Sequence, residues 1–419
     1  MKRQHTLTRG CKQLLFTLSL GALLSACVGG NSSNSNTDIP FGGVEAGGTD
    51  IEGGTEMMSA PKSCAEIDRA AEGEQPQTEG ESFSLSGTYR VSGRWILDQG
   101  QRVTIEPGTI FIVESEAELF VGWRGDAASV FFNGTEEQPI LFCGAEGRPG
   151  FWRGLELLTG TREESYLEHV RIEDAGREET AGLFSSNNVR LNHVSVLNSA
   201  AVGFKLEGLG DGSSDLTSKN NALPLALKGE EAVDLLPLGD YTENEEDIIE
   251  LRGIENTNIT FKDVGIPYRQ LDERVVLGLA GGDLTSFTFE AGVEYQFCQD
   301  CFINVGWRND PGAIYVRGTE DNPVVFTSSR ETPQAGDWNG IWLLSGTTSD
   351  SEINFARFEY GGKPEEAALL IDRGQGTIRN SHFSDSLGAG IIIDTDGLLT
   401  VENNTFERCA GGDVSDLRP

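Results

Sequence analysis

Val103-Thr104-Ile105-Glu106-Pro107-Gly108-Thr109-Ile110-Phe111-Ile112 decides the fold. Two apolar-x-apolar triplets, Val103-Thr104-Ile105 and Ile110-Phe111-Ile112, flank a Pro-Gly turn signal. Alternation with a period of two over so few residues marks short strands with one face buried. The same rhythm continues at Leu119-Phe120-Val121, Leu155-Glu156-Leu157, Val170-Arg171-Ile172 and Val194-Ser195-Val196. It returns at Phe287-Thr288-Phe289, Ile303-Asn304-Val305, Ile314-Tyr315-Val316, Ile353-Asn354-Phe355 and Leu399-Thr400-Val401. Gly, Asn, Asp and Ser clusters suited to tight turns lie between them. Beyond the extreme N-terminus no stretch sustains a helical period.

The chain also repeats itself over a long range. Ile105-Glu106-Pro107-Gly108 matches Phe289-Glu290-Ala291-Gly292, and Val121-Gly122-Trp123-Arg124 matches Val305-Gly306-Trp307-Arg308. Gly134-Thr135-Glu136-Glu137-Gln138-Pro139 matches Gly318-Thr319-Glu320-Asp321-Asn322-Pro323 at the same offset. After a short insertion, Trp152-Arg153-Gly154-Leu155 pairs with Trp338-Asn339-Gly340-Ile341, and Val170-Arg171-Ile172-Glu173 with Ala356-Arg357-Phe358-Glu359. Very short strands, turn-rich links and self-repetition leave a solenoid or a propeller. A propeller blade needs longer strands joined by hairpins, so the reading is an all-β solenoid of about a dozen coils with parallel pairing between them.

With these motifs the sequence resembles right-handed parallel β-helix proteins of the pectate-lyase-like superfamily, in particular their exported bacterial members. The strings that carry the resemblance are Thr104 to Thr109, Gly134 to Phe142 and Gly336 to Ile341, and it extends over roughly 82–410. It implies a right-handed coil and leaves activity open, since a fold does not supply a function. The family includes polysaccharide lyases and hydrolases. No Gly-His-Gly string and no Arg-x-Pro-x-x-Arg string of those enzymes occurs here.

The N-terminus places Lys2, Arg3, Arg9 and Lys12 before the apolar run Leu14–Leu24, the order of a secretion signal too short to span a bilayer. It ends in Leu24-Ser25-Ala26-Cys27, which resembles the lipobox of bacterial lipoproteins. That resemblance implies cleavage of a signal peptide over 1–26, acylation of Cys27 and a membrane anchor without a transmembrane helix. Val28 at the next position, where Asp would favour inner-membrane retention, favours the outer membrane. The polar run that follows, with Asn31–Asn36 at its core, predicts a disordered linker over 27–61. Ser63-Cys64-Ala65-Glu66 has the form of a capping box, with Ile67, Ala70 and Ala71 at helical spacing. A short capping helix is therefore expected within an N-terminal cap over 62–81. The solenoid follows over 82–419, in two halves of about 82–210 and 211–419.

A formal net charge of −34 argues against nucleic acid and anionic lipid and favours solubility, a monomer and cationic partners such as divalent metal ions. Beyond Cys27, the pairs Cys298/Cys301 and Cys64/Cys143 are candidate disulfides, leaving Cys409 unpaired. Asp394/Asp396 and Asp211/Asp215 could offer oxygen ligands to Ca²⁺ at turns. Trp123, Trp307, Trp152 and Trp338 could stack on sugars, whereas His169, His193 and His382 read as ordinary coil-surface residues. The expectation is a non-catalytic lipoprotein that presents a β-helix to an envelope or extracellular polysaccharide. The alternatives are a polysaccharide lyase or glycoside hydrolase, and a structural or adhesive rod.

Overall fold

The computed structural model describes residues 62–279 and 282–419; Cys27, the expected signal and the linker lie outside them. Over this range the triplets form strands whose alternate residues turn inward. In Arg102–Ile105, Val103 and Ile105 are buried while Arg102 is exposed; in Leu155–Leu157 both leucines are buried and Glu156 is not. Successive coils pair in parallel register, as Arg102–Ile105 does with Ser82–Leu85 on one side and Ser129–Asn133 on the other. The strands assemble into one sheet of 13 strands, one of 10 and two of 6. The body is thus a parallel β-helix. One strand per coil in the largest sheet, at about 4.8 Å per coil, gives a stack about 60 Å long.

Its interior is filled by ladders of like residues. Phe326, Phe358, Phe383 and Phe406 stack coil on coil, with ring centroids 5.1, 4.6 and 5.3 Å apart. Phe111 lies on Phe142 at 4.5 Å. Each such ring contributes roughly 2–3 kcal/mol by leaving water.

The expected capping helix is replaced by a strap. Ser63 Oγ does bond to Glu66 Oε1 at 2.9 Å, but only the single 3₁₀ turn Cys64–Glu66 forms, and Ile67 is already extended. Cys64 is bonded to Cys143, and Arg69 pairs with the buried Asp174, which draws the segment flat along the coils. Farther on, Glu74 bridges to Tyr89, and the carbonyls of Gln77 and Thr78 accept from Trp95 Nε1 and Gln101 Nε2. These contacts cover first-coil strands with backbone instead of a helix.

The two copies are turned relative to each other. In the first copy a coil runs through Arg102–Ile105, Ile110–Val113 and Glu118–Val121, and the third strand belongs to the 13-stranded sheet. In the second copy the matching coil is Thr285–Glu290, Glu294–Phe297 and Phe302–Val305, and here the second strand belongs to that sheet. Equivalent strands are therefore displaced by one face. The shift is made between Leu223 and Arg252, where the α-helix Glu230–Asp234 interrupts the coils and the ten-stranded sheet ends at Gly239–Asp240. By pairing, Ser82–Leu85 in the first copy answers to Ile259–Phe261 in the second, each one coil before the matched strands. Arg171 and Arg357 accordingly lie in different sheets and form no common ladder.

Candidate functional site

Two corners repeat with the same geometry. The strand Glu118–Val121 ends at Gly122 with φ 71°, followed by the turn Trp123–Gly125 in which Arg124 has φ 55°. The strand Phe302–Val305 ends at Gly306 with φ 75°, followed by Trp307–Asn309 with Arg308 at φ 53°. Both tryptophans are half-buried, and both arginines are exposed. Arg124 lies 5.7 Å from the Trp123 ring centroid and Arg308 lies 5.5 Å from that of Trp307. In the first copy Trp123 rests on Phe120 at 4.4 Å.

The second copy carries a further aromatic that sequence reasoning passed over. Trp342 sits between the inward residues Ile341 and Leu343, so the alternation turns it outward. It stacks on Phe302 at 4.9 Å, on the strand that leads into the Trp307 corner. Beside it Asn304, its register partner, is buried. Asn304 Oδ1 and Trp342 Nε1 are both enclosed with no hydrogen-bond partner among the described residues. The signal was legible, because an apolar residue at the outward place of a strand is anomalous.

Trp152 and Trp338 must be removed from the sugar-binding set. Both are fully buried, and each indole Nε1 donates to a backbone carbonyl, Glu173 O and Glu359 O respectively, at 2.8 Å. Trp338 packs flat on Phe297 at 4.1 Å. They are core pieces that lock one coil to the next.

A second duplicated feature is a shallow groove beside the inserted Gly-Thr-Glu loop. In the first copy, Thr135, Glu136, Pro139, His169, His193 and Asp215 line about 420 Å³. In the second, Thr319, Glu320, Pro323, Phe355, Asn380 and Asn403 line about 440 Å³. Each loop closes on itself, Thr135 N donating to Gln138 O at 3.1 Å and Thr319 N to Asn322 O at 3.0 Å. The floors differ. The His169 and His193 rings are stacked 4.3 Å apart, whereas the other copy carries Phe355 and Asn380 at the corresponding corners.

The acid pairs do not converge. Asp211 is exposed on a groove with Glu163 and Arg190, apart from Asp215, which lies 3.3 Å from His193. Asp394 accepts from Thr395 N within its own turn, and Asp396 is exposed. Among the described residues neither pair joins a group of three or more His, Cys, Asp or Glu side chains close enough to share an ion. Both candidate disulfides form, with Cα–Cα distances of 5.5 Å for Cys64–Cys143 and 5.2 Å for Cys298–Cys301. Cys409 pairs with no cysteine among the described residues, and burial pushes its thiol pKa up. His382 Nδ1 lies 2.9 Å from Thr405 Oγ1. No helix of the described residues is long and apolar enough to cross a membrane.

The pectate-lyase-like β-helix domain family matches residues 283–368. That stretch holds the Trp307 corner, Trp338 and Trp342, and lies wholly within the second copy. No curated protein and no solved structure matches the chain.

Proposed function

We propose that the protein is an exported, lipid-anchored β-helix that binds glycan of the envelope or its surroundings without cleaving it. The observation that carries this reading is the outward aromatic surface of the second copy. Trp342 and Phe302 stack there on the strand pair that ends in the half-exposed Trp307 with Arg308 across it. Flat aromatic faces bind the apolar face of a sugar ring, and neighbouring donors fix its hydroxyls. The first copy supplies a smaller version in Trp123 and Arg124, with Phe120 buried beneath the indole. A chain of charge −34 repels polyanions, which favours neutral glycans. The lipobox-like run ending at Cys27 supports an anchor that would hold this surface outward.

A glycan array with the full-length protein tests the reading. Trp342→Ala and Trp307→Ala should each weaken binding at least about tenfold, within the usual range for an interface aromatic, while circular dichroism stays unchanged. Binding that survives both changes would end the aromatic-platform idea. Polysaccharide turnover, followed by reducing ends and unsaturated products with and without Ca²⁺, would replace it with an enzyme. Cys27→Ser should leave unprocessed precursor; normal processing and membrane attachment would remove the anchor.

A further inference from the structure

His169, His193 and Asp215 occupy one corner in three successive coils, with φ of 47, 50 and 51°. Their register follows from the pairing of Glu168 with Asn192 and of Asn192 with Ser214, each one residue earlier. A left-handed corner suits Asn, Asp or His among residues with a Cβ. The second copy meets the same need with Phe355, Asn380 and Asn403, at φ 50, 51 and 52°. There Asn380 Nδ2 donates to Asn354 Oδ1 at 3.0 Å. The backbone therefore does not call for histidine.

The imidazoles lie parallel within 6°, an arrangement in which neither ring can hydrogen-bond to the other. Glu168 Oε1 is 3.8 Å from His169 Nε2, and Glu168 Oε2 is held by Asn192 Nδ2 at 3.1 Å. One donor atom from each of Glu168, His169 and His193 lies within 4.8 Å of the others. Behind them, Asp215 Oδ2 sits 3.3 Å from His193 Nδ1, the place of a carboxylate that orients a ligating imidazole through its far nitrogen. The side chains of His169 and His193 are 25% and 44% exposed, so an ion can reach them from the groove.

We propose that Glu168, His169 and His193, with Asp215 positioning His193, form a surface site for one borderline divalent transition ion, with Zn²⁺ the expected occupant. Two imidazoles and a carboxylate suit Zn²⁺, Ni²⁺ or Cu²⁺, whereas Ca²⁺ takes oxygen donors. Three protein ligands leave a position open to water or to a donor group of a bound partner. Of the nearby cations, Arg171 is paired with Glu173, and Lys62 stands on the groove wall. The site is confined to the first copy and does not depend on the glycan reading.

The test uses the full-length protein carrying Cys409→Ser, so that the free thiol cannot take up metal, in excess Ca²⁺ to occupy the acidic surface. Calorimetry should show one Zn²⁺ per chain. His169→Asn and His193→Asn, the latter installing the second copy's own residue (Asn380), should each weaken it about tenfold or more, and the double variant should abolish it. Cu²⁺ bound to the parent should show two equivalent imidazole nitrogens by electron paramagnetic resonance, and one in either single variant. No uptake by the parent, displacement by Ca²⁺, or uptake retained in the double variant would each overturn the site.

Discussion

At Gly122 the reason for glycine is steric as well as conformational. A Cβ there would sit 2.2 Å from Thr161 N and 2.3 Å from Gly160 C, which are backbone atoms of the next coil. Gly306 faces Thr347 N at 2.0 Å in the same way. No rotamer can relieve such contacts, so Gly122→Ala and Gly306→Ala should each cost about 3 kcal/mol or more in urea unfolding. Gly87 provides the control, since its φ is 95° but nothing lies within 4 Å of its Cβ position. Gly87→Ala should cost only about 1–2 kcal/mol, the ordinary penalty of a left-handed residue. Equal losses at all three would show that the coil contact is not what selects glycine. The tryptophans mark how far sequence reached at this scale. Trp123 and Trp152 belong to equally well repeated strings, yet one lies at a half-exposed corner and the other in the core. Repetition reports that a residue matters to the coil and is silent on which way it points. Trp342 could be placed by alternation because Ile341 and Leu343 fix the inward side.

Among the elements, the N-terminal strap departs most from what its sequence suggested. The capping-box contact between Ser63 and Glu66 is present, but a helix of one turn has no face to bury. Tertiary ties to Cys143 and Asp174 outweigh the local preference. The Cys64–Cys143 bond closes a separation of 79 residues, against 3 for Cys298–Cys301. Loop-closure entropy then favours the first, at about 4 kcal/mol against about 2. Cys143→Ser should accordingly lower the melting temperature more than Cys298→Ser; the reverse order would mean that the strap adds little to the body. At the other end, Asp385 and Arg408 occupy matching corners of the last two coils and form a two-pronged ion pair, with Asp385 Oδ2 2.7 Å from Arg408 Nη2. The hydrogen bond from Arg408 holds the Asp385 carboxyl below its ordinary range. A depressed carboxylate contributes stability above its unfolded pKa of about 4 and loses it as pH falls through the folded value. Asp385→Asn should therefore raise hydrogen exchange in Leu398–Glu402 and Thr405–Glu407 at neutral pH, and the gap to the parent should close in acid. A gap that persists once the carboxyl is protonated in strong acid would point to packing instead of charge.

For the molecule as a whole, the duplication was legible and its rotation was not. Matched strings such as Val121–Arg124 and Val305–Arg308 establish two copies, but the turn between them arises where the intervening residues have no counterpart to align. The consequence bears on binding. The strand leading to Trp123 lies in the 13-stranded sheet and the strand leading to Trp307 in a six-stranded one, so the corners look out from different faces. A straight polymer laid along one face cannot engage both in the same way. If each corner binds glycan, it acts alone, and the linked-site gain in affinity is absent because the geometry forbids joint engagement. Affinity should then stop rising once an oligosaccharide fills one corner, and Trp123→Ala should remove the weaker class of sites while leaving the Trp307 class unchanged. Calorimetry with oligosaccharides of increasing length separates the cases. Affinity that climbs steadily with length and collapses on either single Trp change would mean that one polymer wraps both faces, and the two corners would then count as a single site.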